Sequence, residues 1–133
     1  MCTGAPLYRR GMDGSPLRID RADLRQTDDE LTLILGAAGI HVMLIRLRYD
    51  GWVDEVINNA GSVAHGPAAW TLVDHDLSLE FGPRTADTLG FPRDCRLHLD
   101  VDAATIRRVR AALLEILQCA CFLVDTVEGQ LTG

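Results

Sequence analysis

A single segment of this chain has a clear helical period, and it follows a series of short segments that alternate between apolar and polar residues. Within residues 102–117, apolar side chains recur on one stripe, at Ile106, Val109, Leu113, Ile116 and Leu117. Asp102 is a good N-cap for such a helix, while Arg107 and Arg108 fall off the stripe. We therefore expect an amphipathic helix whose apolar stripe covers a core.

The alternating segments before this helix predict strands. They occupy residues 17–20, 31–35, 40–48, 52–57, 69–74, 77–81 and 96–100. A short helix is predicted at residues 83–89, because proline lies near its start and glycine follows its end. Successive strands with a closing helix are typical of an antiparallel sheet that uses the helix as its cover. The expected fold is α+β and mostly β, an antiparallel sheet of six or seven strands with a short helix and a covering C-terminal helix.

The length of 133 residues favours one domain. Residues 1–16 contain three glycines and two prolines without a period, so we expect a flexible N-terminal arm there. The single β-rich domain is expected to cover residues 17–117, with residues 118–133 as a C-terminal tail.

The charge of the chain is acidic and unevenly placed. It has 13 basic residues, all of them arginine, against 19 acidic residues, for a net charge of −6. We attribute the missing lysine to GC-rich codon usage. The acidic balance counts against nucleic-acid binding, whose affinity comes largely from neutralising phosphates. Residues 49–83 contain six acids and no arginine, so this acidic stretch carries the whole net charge.

Two interpretations of the acidic stretch stay open. It is either a solvated face of a sheet or a docking surface for a cationic protein, which would raise the association rate. Trp52 and Trp70 are likewise either packed in the sheet or exposed as an interface pair, since tryptophan is enriched at interfaces. The residues that the docking interpretation assigns to partner binding are Asp50, Trp52, Asp54, Glu55, Asp74 and Asp76.

Residue patterns that indicate catalysis or metal binding are sparse. His75 between Asp74 and Asp76 fits a general base with an orienting carboxylate, but it equally fits a polar hairpin tip. No histidine pair has the i, i+4 spacing of a helical zinc site. The four cysteines are expected to be reduced, inert thiols, namely Cys2, Cys95, Cys119 and Cys121. We therefore predict no catalytic residue, no metal and no cofactor.

The sequence shows no export or membrane signal. Arg9 and Arg10 are not followed by an apolar region of the kind that secretory signals have. The longest apolar run, residues 31–45, contains two glycines and His41 and is too short to span a bilayer. A cytoplasmic location without a membrane partner is expected.

Residues 77–117 carry a family resemblance. They read Leu-Ser-Leu-Glu-Phe-Gly-Pro-Arg-Thr-Ala-Asp-Thr-Leu-Gly-Phe-Pro at 77–92, Cys-Arg-Leu-His-Leu-Asp-Val-Asp at 95–102 and Ile-Arg-Arg-Val-Arg-Ala-Ala-Leu-Leu-Glu-Ile-Leu at 106–117. This run resembles immunity protein 10 of bacterial polymorphic toxin systems, as does the earlier piece Asp-Glu-Leu-Thr-Leu-Ile-Leu at 29–35. The resemblance implies a non-enzymatic, mostly β protein that binds and neutralises a toxin encoded beside it.

Three functions remain to be weighed. The first is a toxin-neutralising protein whose partner has a basic surface. The second is a small ligand-binding or enzymatic domain that uses His75 and nearby carboxylates. The third is a structural or oligomeric subunit, and the oligomeric state, a homodimer included, is open at this stage.

Overall fold

A computed structural model describes residues 16–126 and 129–133 of the chain. Apart from Pro16, the arm predicted at residues 1–16 lies outside these described residues. The described helices are α1 (Pro83–Leu89) and α2 (Ala103–Ile116). The described strands are β1 (Leu17–Ile19), β2 (Arg21–Gln26), β3 (Glu30–Ala37), β4 (Ile40–Arg48), β5 (Val53–Asn58), β6 (Val63–His65), β7 (Ala69–Val73), β8 (Asp76–Glu80), β9 (Asp94–Leu99), β10 (Cys121–Thr126) and β11 (Gly129–Thr132).

The strands form two sheets, which corrects the prediction of one. Strands β2 to β6 make a five-stranded antiparallel sheet in chain order. The other sheet has six strands in the order β1-β9-β8-β7-β10-β11. Alternation in a sequence indicates where a strand lies but not which strands pair with it. The sequence therefore gives no signal that the chain crosses from one sheet to the other between β6 and β7. The mostly β fold with its short helix and its covering helix is confirmed.

Two pairs in the six-stranded sheet are parallel, β1 with β9 and β7 with β10. The prediction of a purely antiparallel sheet is wrong for these pairs. Parallel neighbours need a long connection, which no local turn signal announces. Strand β10 lies between β7 and β11, so residues beyond 117 add two strands to this sheet.

Both sheets and both helices contribute to one buried hydrophobic cluster. The predicted stripe of α2 is buried throughout, from Ile106 at 5% exposure to Leu113 at 0%, and α2 packs on β2, β3 and β4. Its predicted N-cap is also confirmed, because the Asp102 carboxylate accepts a hydrogen bond from the Thr105 backbone N–H at 2.8 Å. A side-chain hydrogen bond with Thr105, together with this backbone bond, holds the pKa of Asp102 below its usual range.

Candidate functional site

The acidic stretch is divided between the two sheets. Asp50, Asp54 and Glu55 lie in or just before β5 of the five-stranded sheet, whereas Asp74 and Asp76 lie where β7 turns into β8 of the other. The start of β7 is close to the start of β5, because the chain enters β7 directly after the Gly66 N–H donates to the Asp54 carbonyl at 3.3 Å.

From that point the chain runs along β7 to its far end. A strand rises about 3.3 Å per residue, so the five steps from Ala69 to Asp74 carry it about 16 Å. The structure therefore does not bring the six predicted partner-binding residues together. Four of them belong to two hairpins, which we call the Trp52 hairpin (residues 48–53) and the Asp74 hairpin (residues 73–76). The other two, Asp54 and Glu55, follow the first hairpin in β5.

The turn of the Trp52 hairpin is longer than the sequence suggested. An Asp50-Gly51 pair is a signal for a two-residue turn, yet Arg48 pairs with Val53, which leaves a turn of four residues. Gly51 and Trp52 have φ values of 89° and 54°, so both are left-handed. Trp52 therefore belongs to the turn and not to a strand, and the prediction that a strand begins there is wrong.

The two tryptophans have opposite environments. Trp70 on β7 is 1% exposed and stacks on Phe122, with ring centroids 5.4 Å apart. Trp52 is 59% exposed. The packed interpretation is correct for Trp70 and wrong for Trp52, because a left-handed residue in the turn does not follow the in-and-out alternation of a strand.

Tyr49 fixes the position of the Trp52 ring. The two rings meet edge to face, with centroids 5.7 Å apart and planes at 63°. The Tyr49 N–H donates to the Asp29 carbonyl at 2.9 Å, and its hydroxyl accepts from the Gln26 amide at 2.9 Å. The Trp52 hairpin is thus attached to the neighbouring β2–β3 turn through both backbone and side chain.

An acidic cleft of about 580 Å³ opens beside the Trp52 hairpin. Its lining contains four carboxylates and two guanidinium groups, from Asp28, Asp29, Glu30, Arg46, Arg48, Tyr49 and Asp50. The guanidinium of Arg48 lies 3.5 Å from the Asp50 carboxylate, and that of Arg46 pairs at 2.6 Å with Glu55, outside the lining. The cleft, which is lined by Tyr49 of the aromatic pair, therefore has more negative than positive charge.

Tyr49 and the acids of the β2–β3 turn are not among the residues predicted for partner binding. The signal that could have located them is the meander itself. In consecutive antiparallel strands every second turn lies at the same end of the sheet. The β2–β3 turn and the Trp52 hairpin therefore meet, and the pairing of Glu30 with Arg48 sets them side by side.

Asp54 and Glu55 both make contacts with other residues of the protein. Successive strand residues point to opposite faces, and Glu55 lies on the outer face in a pair with Arg46 that leaves the Glu55 side chain 17% exposed. Asp54 is half-buried against Gly66, where an added Cβ would lie 2.1 Å from its carboxylate oxygen. Besides adding negative charge to β5, Asp54 therefore contributes to the packing of this strand and Glu55 contributes to its ion pairing.

The Asp74 hairpin carries a different set of contacts. The His98 ring donates from Nδ1 to the Asp76 carboxylate at 2.8 Å, and the His75 ring donates from Nδ1 to the Leu99 carbonyl at 2.8 Å. The sequence-adjacent carboxylate thus orients His98 and not His75. Asp74 itself is exposed, with a left-handed φ of 54°.

A further ion pair lies next to this hairpin. The Arg18 guanidinium on β1 donates to the Asp100 carboxylate, with Nε at 2.9 Å. That hydrogen bond, together with the charge of Arg18, holds the pKa of Asp100 below its usual range. At the hairpin end of the six-stranded sheet, the carboxylates of Asp76 and Asp100 therefore accept hydrogen bonds from side chains of neighbouring strands.

Metal and thiol chemistry have little support within the described residues. No group of three histidine, cysteine or carboxylate side chains in residues 16–126 and 129–133 is arranged to hold a metal ion. Cys119 and Cys121 are exposed free thiols, and Cys95 is buried. Cys2 lies outside the described residues. No helix in the described part of the chain has the length and apolarity needed to span a membrane.

Comparison with known proteins yields no relative. No family model matches the chain, and no curated protein or solved structure matches it.

Proposed function

We propose that this protein is an immunity protein that binds a cognate bacterial toxin in the cytoplasm and neutralises it by protein–protein contact, without chemistry of its own. The resemblance of residues 77–117 to immunity protein 10 supports the class of function. The acidic net charge of −6 supports a partner with a basic surface, because complementary charge accelerates encounter.

The observation that carries this proposal is the exposed, fixed aromatic ring of Trp52. Tryptophan residues that anchor interfaces account for a large share of binding energy. Immobilising a flexible side chain on binding costs free energy, and the contact with Tyr49 already limits the freedom of the Trp52 ring. The Trp52 hairpin and the acidic cleft therefore form the surface that we assign to the toxin.

A small ligand-binding or enzymatic function at His75 is the alternative. It has less support, because Nδ1 of His75 donates to a backbone carbonyl and the Asp76 carboxylate accepts from His98 instead. A carboxylate orients a histidine as a general base only when it accepts a hydrogen bond from the ring of that same histidine.

The test is a titration of the purified chain with the protein encoded by the adjacent gene. We expect a one-to-one complex with nanomolar affinity, typical of a specific interface of ordinary size, and survival of cells that express both proteins where the neighbour alone kills them. Trp52→Ala should weaken the complex, and the matched control Ile40→Ala, which truncates another exposed side chain in a different turn region, should not. Absence of both binding and protection would contradict the proposal.

A further inference from the structure

We propose that the Trp52 hairpin binds an arginine side chain of its partner, with the guanidinium plane stacked on the Trp52 indole beside the acidic cleft. This inference rests on the proposed function, since it names the chemical group through which that partner docks. It is carried by the aromatic pair, and the charge around the pair selects the occupant.

The aromatic pair leaves a ring available to a ligand. In an edge-to-face contact, one ring meets the other with its edge only, and Trp52 retains 59% of its surface exposed. Tyr49 is itself held at both ends, by the Asp29 carbonyl and the Gln26 amide. The indole is thus a positioned platform, and the faces of such rings attract cations within about 6 Å of their centre.

The surroundings favour a cation over an apolar or acidic group. The cleft is lined by Tyr49 and Asp50 of the Trp52 hairpin, although not by Trp52 itself. It has four carboxylates against two guanidinium groups, which pair with Asp50 and Glu55. An apolar partner would remove water from these carboxylates without replacing its hydrogen bonds, which is costly. A cationic partner pairs with them, and an anionic surface such as a nucleic acid or an anionic membrane is repelled.

Arginine fits this arrangement better than lysine. Its planar guanidinium stacks on an aromatic face while its N–H groups remain free to donate in the ring plane to carboxylates, whereas an ammonium is a compact, strongly hydrated charge. The chain has no lysine among its 13 basic residues.

The first test uses short capped peptides, Gly-Arg-Gly, Gly-Lys-Gly and Gly-citrulline-Gly, followed by the NMR signals of the two indole N–H groups. The arginine peptide should shift the Trp52 signal and bind about threefold more tightly than the lysine peptide. The neutral citrulline peptide should give no shift. Trp70, at 1% exposure, is the internal control and should not respond.

Equal binding of the arginine and lysine peptides, or an equal shift with citrulline, would overturn the assignment of a guanidinium. Trp52→Leu keeps an apolar side chain but removes the π face, so it should abolish the preference for arginine, as followed on the Gly51 amide. Ile40→Ala should retain the full preference. A preference that persists in Trp52→Leu would also overturn the inference.

The second test separates this inference from the proposed function. With the protein encoded by the adjacent gene, Trp52→Ala should lower the affinity by about 30-fold or more, as at interface hot spots. If the complex forms and Trp52→Ala binds as tightly as the wild type, the inference is wrong and the function stands. If no complex forms but the arginine peptide shifts Trp52, the toxin assignment is wrong and the arginine site stands.

Discussion

The Trp52 hairpin and the Asp74 hairpin have turns from the same acidic stretch of the sequence but present different surfaces. Each turn contains at least one aspartate and a non-glycine residue in the left-handed region. At the Asp74 hairpin the neighbouring β9 supplies His98, which donates to the Asp76 carboxylate, and the ion pair of Arg18 with Asp100 lies close by. At the Trp52 hairpin the neighbour is another acidic turn, and the exposed group is an aromatic ring.

The difference shows that the charge of a segment does not determine what it presents. Each hairpin has an aspartate with a partner, Asp50 with Arg48 and Asp76 with His98. The Trp52 hairpin differs because an exposed ring and the carboxylates of the β2–β3 turn lie beside it, which offer a partner both contact area and charge. The strands next to each hairpin decide which case applies. The following predictions test this contrast, from the largest expected effect to the smallest.

The largest effect is expected from the two tryptophans. Trp70→Ala should lower the free energy of unfolding by about 3–5 kcal/mol, because it removes a large buried side chain from the core. Trp52→Ala should change it by no more than about 0.5 kcal/mol, since the side chain lies on the surface. Urea denaturation of both variants measures the two values, and a comparable loss in Trp52→Ala would show that the ring is structural.

Gly66→Ala tests the close contact between Gly66 and Asp54, next to the Trp52 hairpin. An added Cβ would lie 2.1 Å from the Asp54 carboxylate oxygen, and such crowding costs about 1–3 kcal/mol. The free energy of unfolding, measured by urea denaturation, should fall accordingly. The double variant Gly66→Ala with Asp54→Ala removes the crowding atom and should recover part of the loss. If it recovers nothing, the close contact with Asp54 is not the cause.

Charge reversal distinguishes the hairpins as docking surfaces. Asp28→Arg with Asp50→Arg should slow association with the cognate toxin about tenfold at low salt, through lost electrostatic steering. Asp74→Arg with Asp76→Arg changes the net charge equally and should leave the association rate closer to that of the wild type. Stopped-flow kinetics at low and at about 1 M salt measures both, because high salt screens the effect. A larger effect at the Asp74 hairpin would place the interface there.

The smallest effect concerns acid sensitivity near the Asp74 hairpin. Arg18 holds the pKa of Asp100 low in the folded protein, so the pair's contribution to stability is complete above the unfolded pKa and is lost as the pH falls below about 4. Arg18→Gln should raise the Asp100 pKa, as NMR of the carboxyl carbon would measure, and should weaken the dependence of Tm on acid pH. An unchanged Asp100 pKa in this variant would contradict the pairing.

Much of the local structure could be predicted from the sequence. The bounds of β4 and α1, and the buried stripe of α2, follow from periodicity, proline and glycine, which act within a few residues. Strand β2 was missed because its residues, Arg-Ala-Asp-Leu-Arg-Gln, are mostly polar and lie at an edge, where little is buried. Strand β10 was missed because it forms only beside β7, far away in the chain.

The candidate site was harder to predict than the fold. Asp50 and Trp52 lie at the proposed surface, but Tyr49 and the β2–β3 turn join them only through pairing of strands. Asp74 and Asp76 were grouped with them because they are close in sequence, although β7 separates the two hairpins in space. Proximity along the chain is a poor guide to proximity on a surface once a chain crosses between sheets.

The arrangement of the two sheets also sets an order in which the protein folds. Every pair in the five-stranded sheet joins consecutive strands, whereas β1 pairs with β9 and β7 pairs with β10, both of which come much later in the chain. Local pairs form faster than distant ones, because less loop entropy is lost. As the chain leaves the ribosome N-terminus first, the residues of the Trp52 hairpin are made before residue 121, so the surface that we propose for binding belongs to the part of the molecule that is made first.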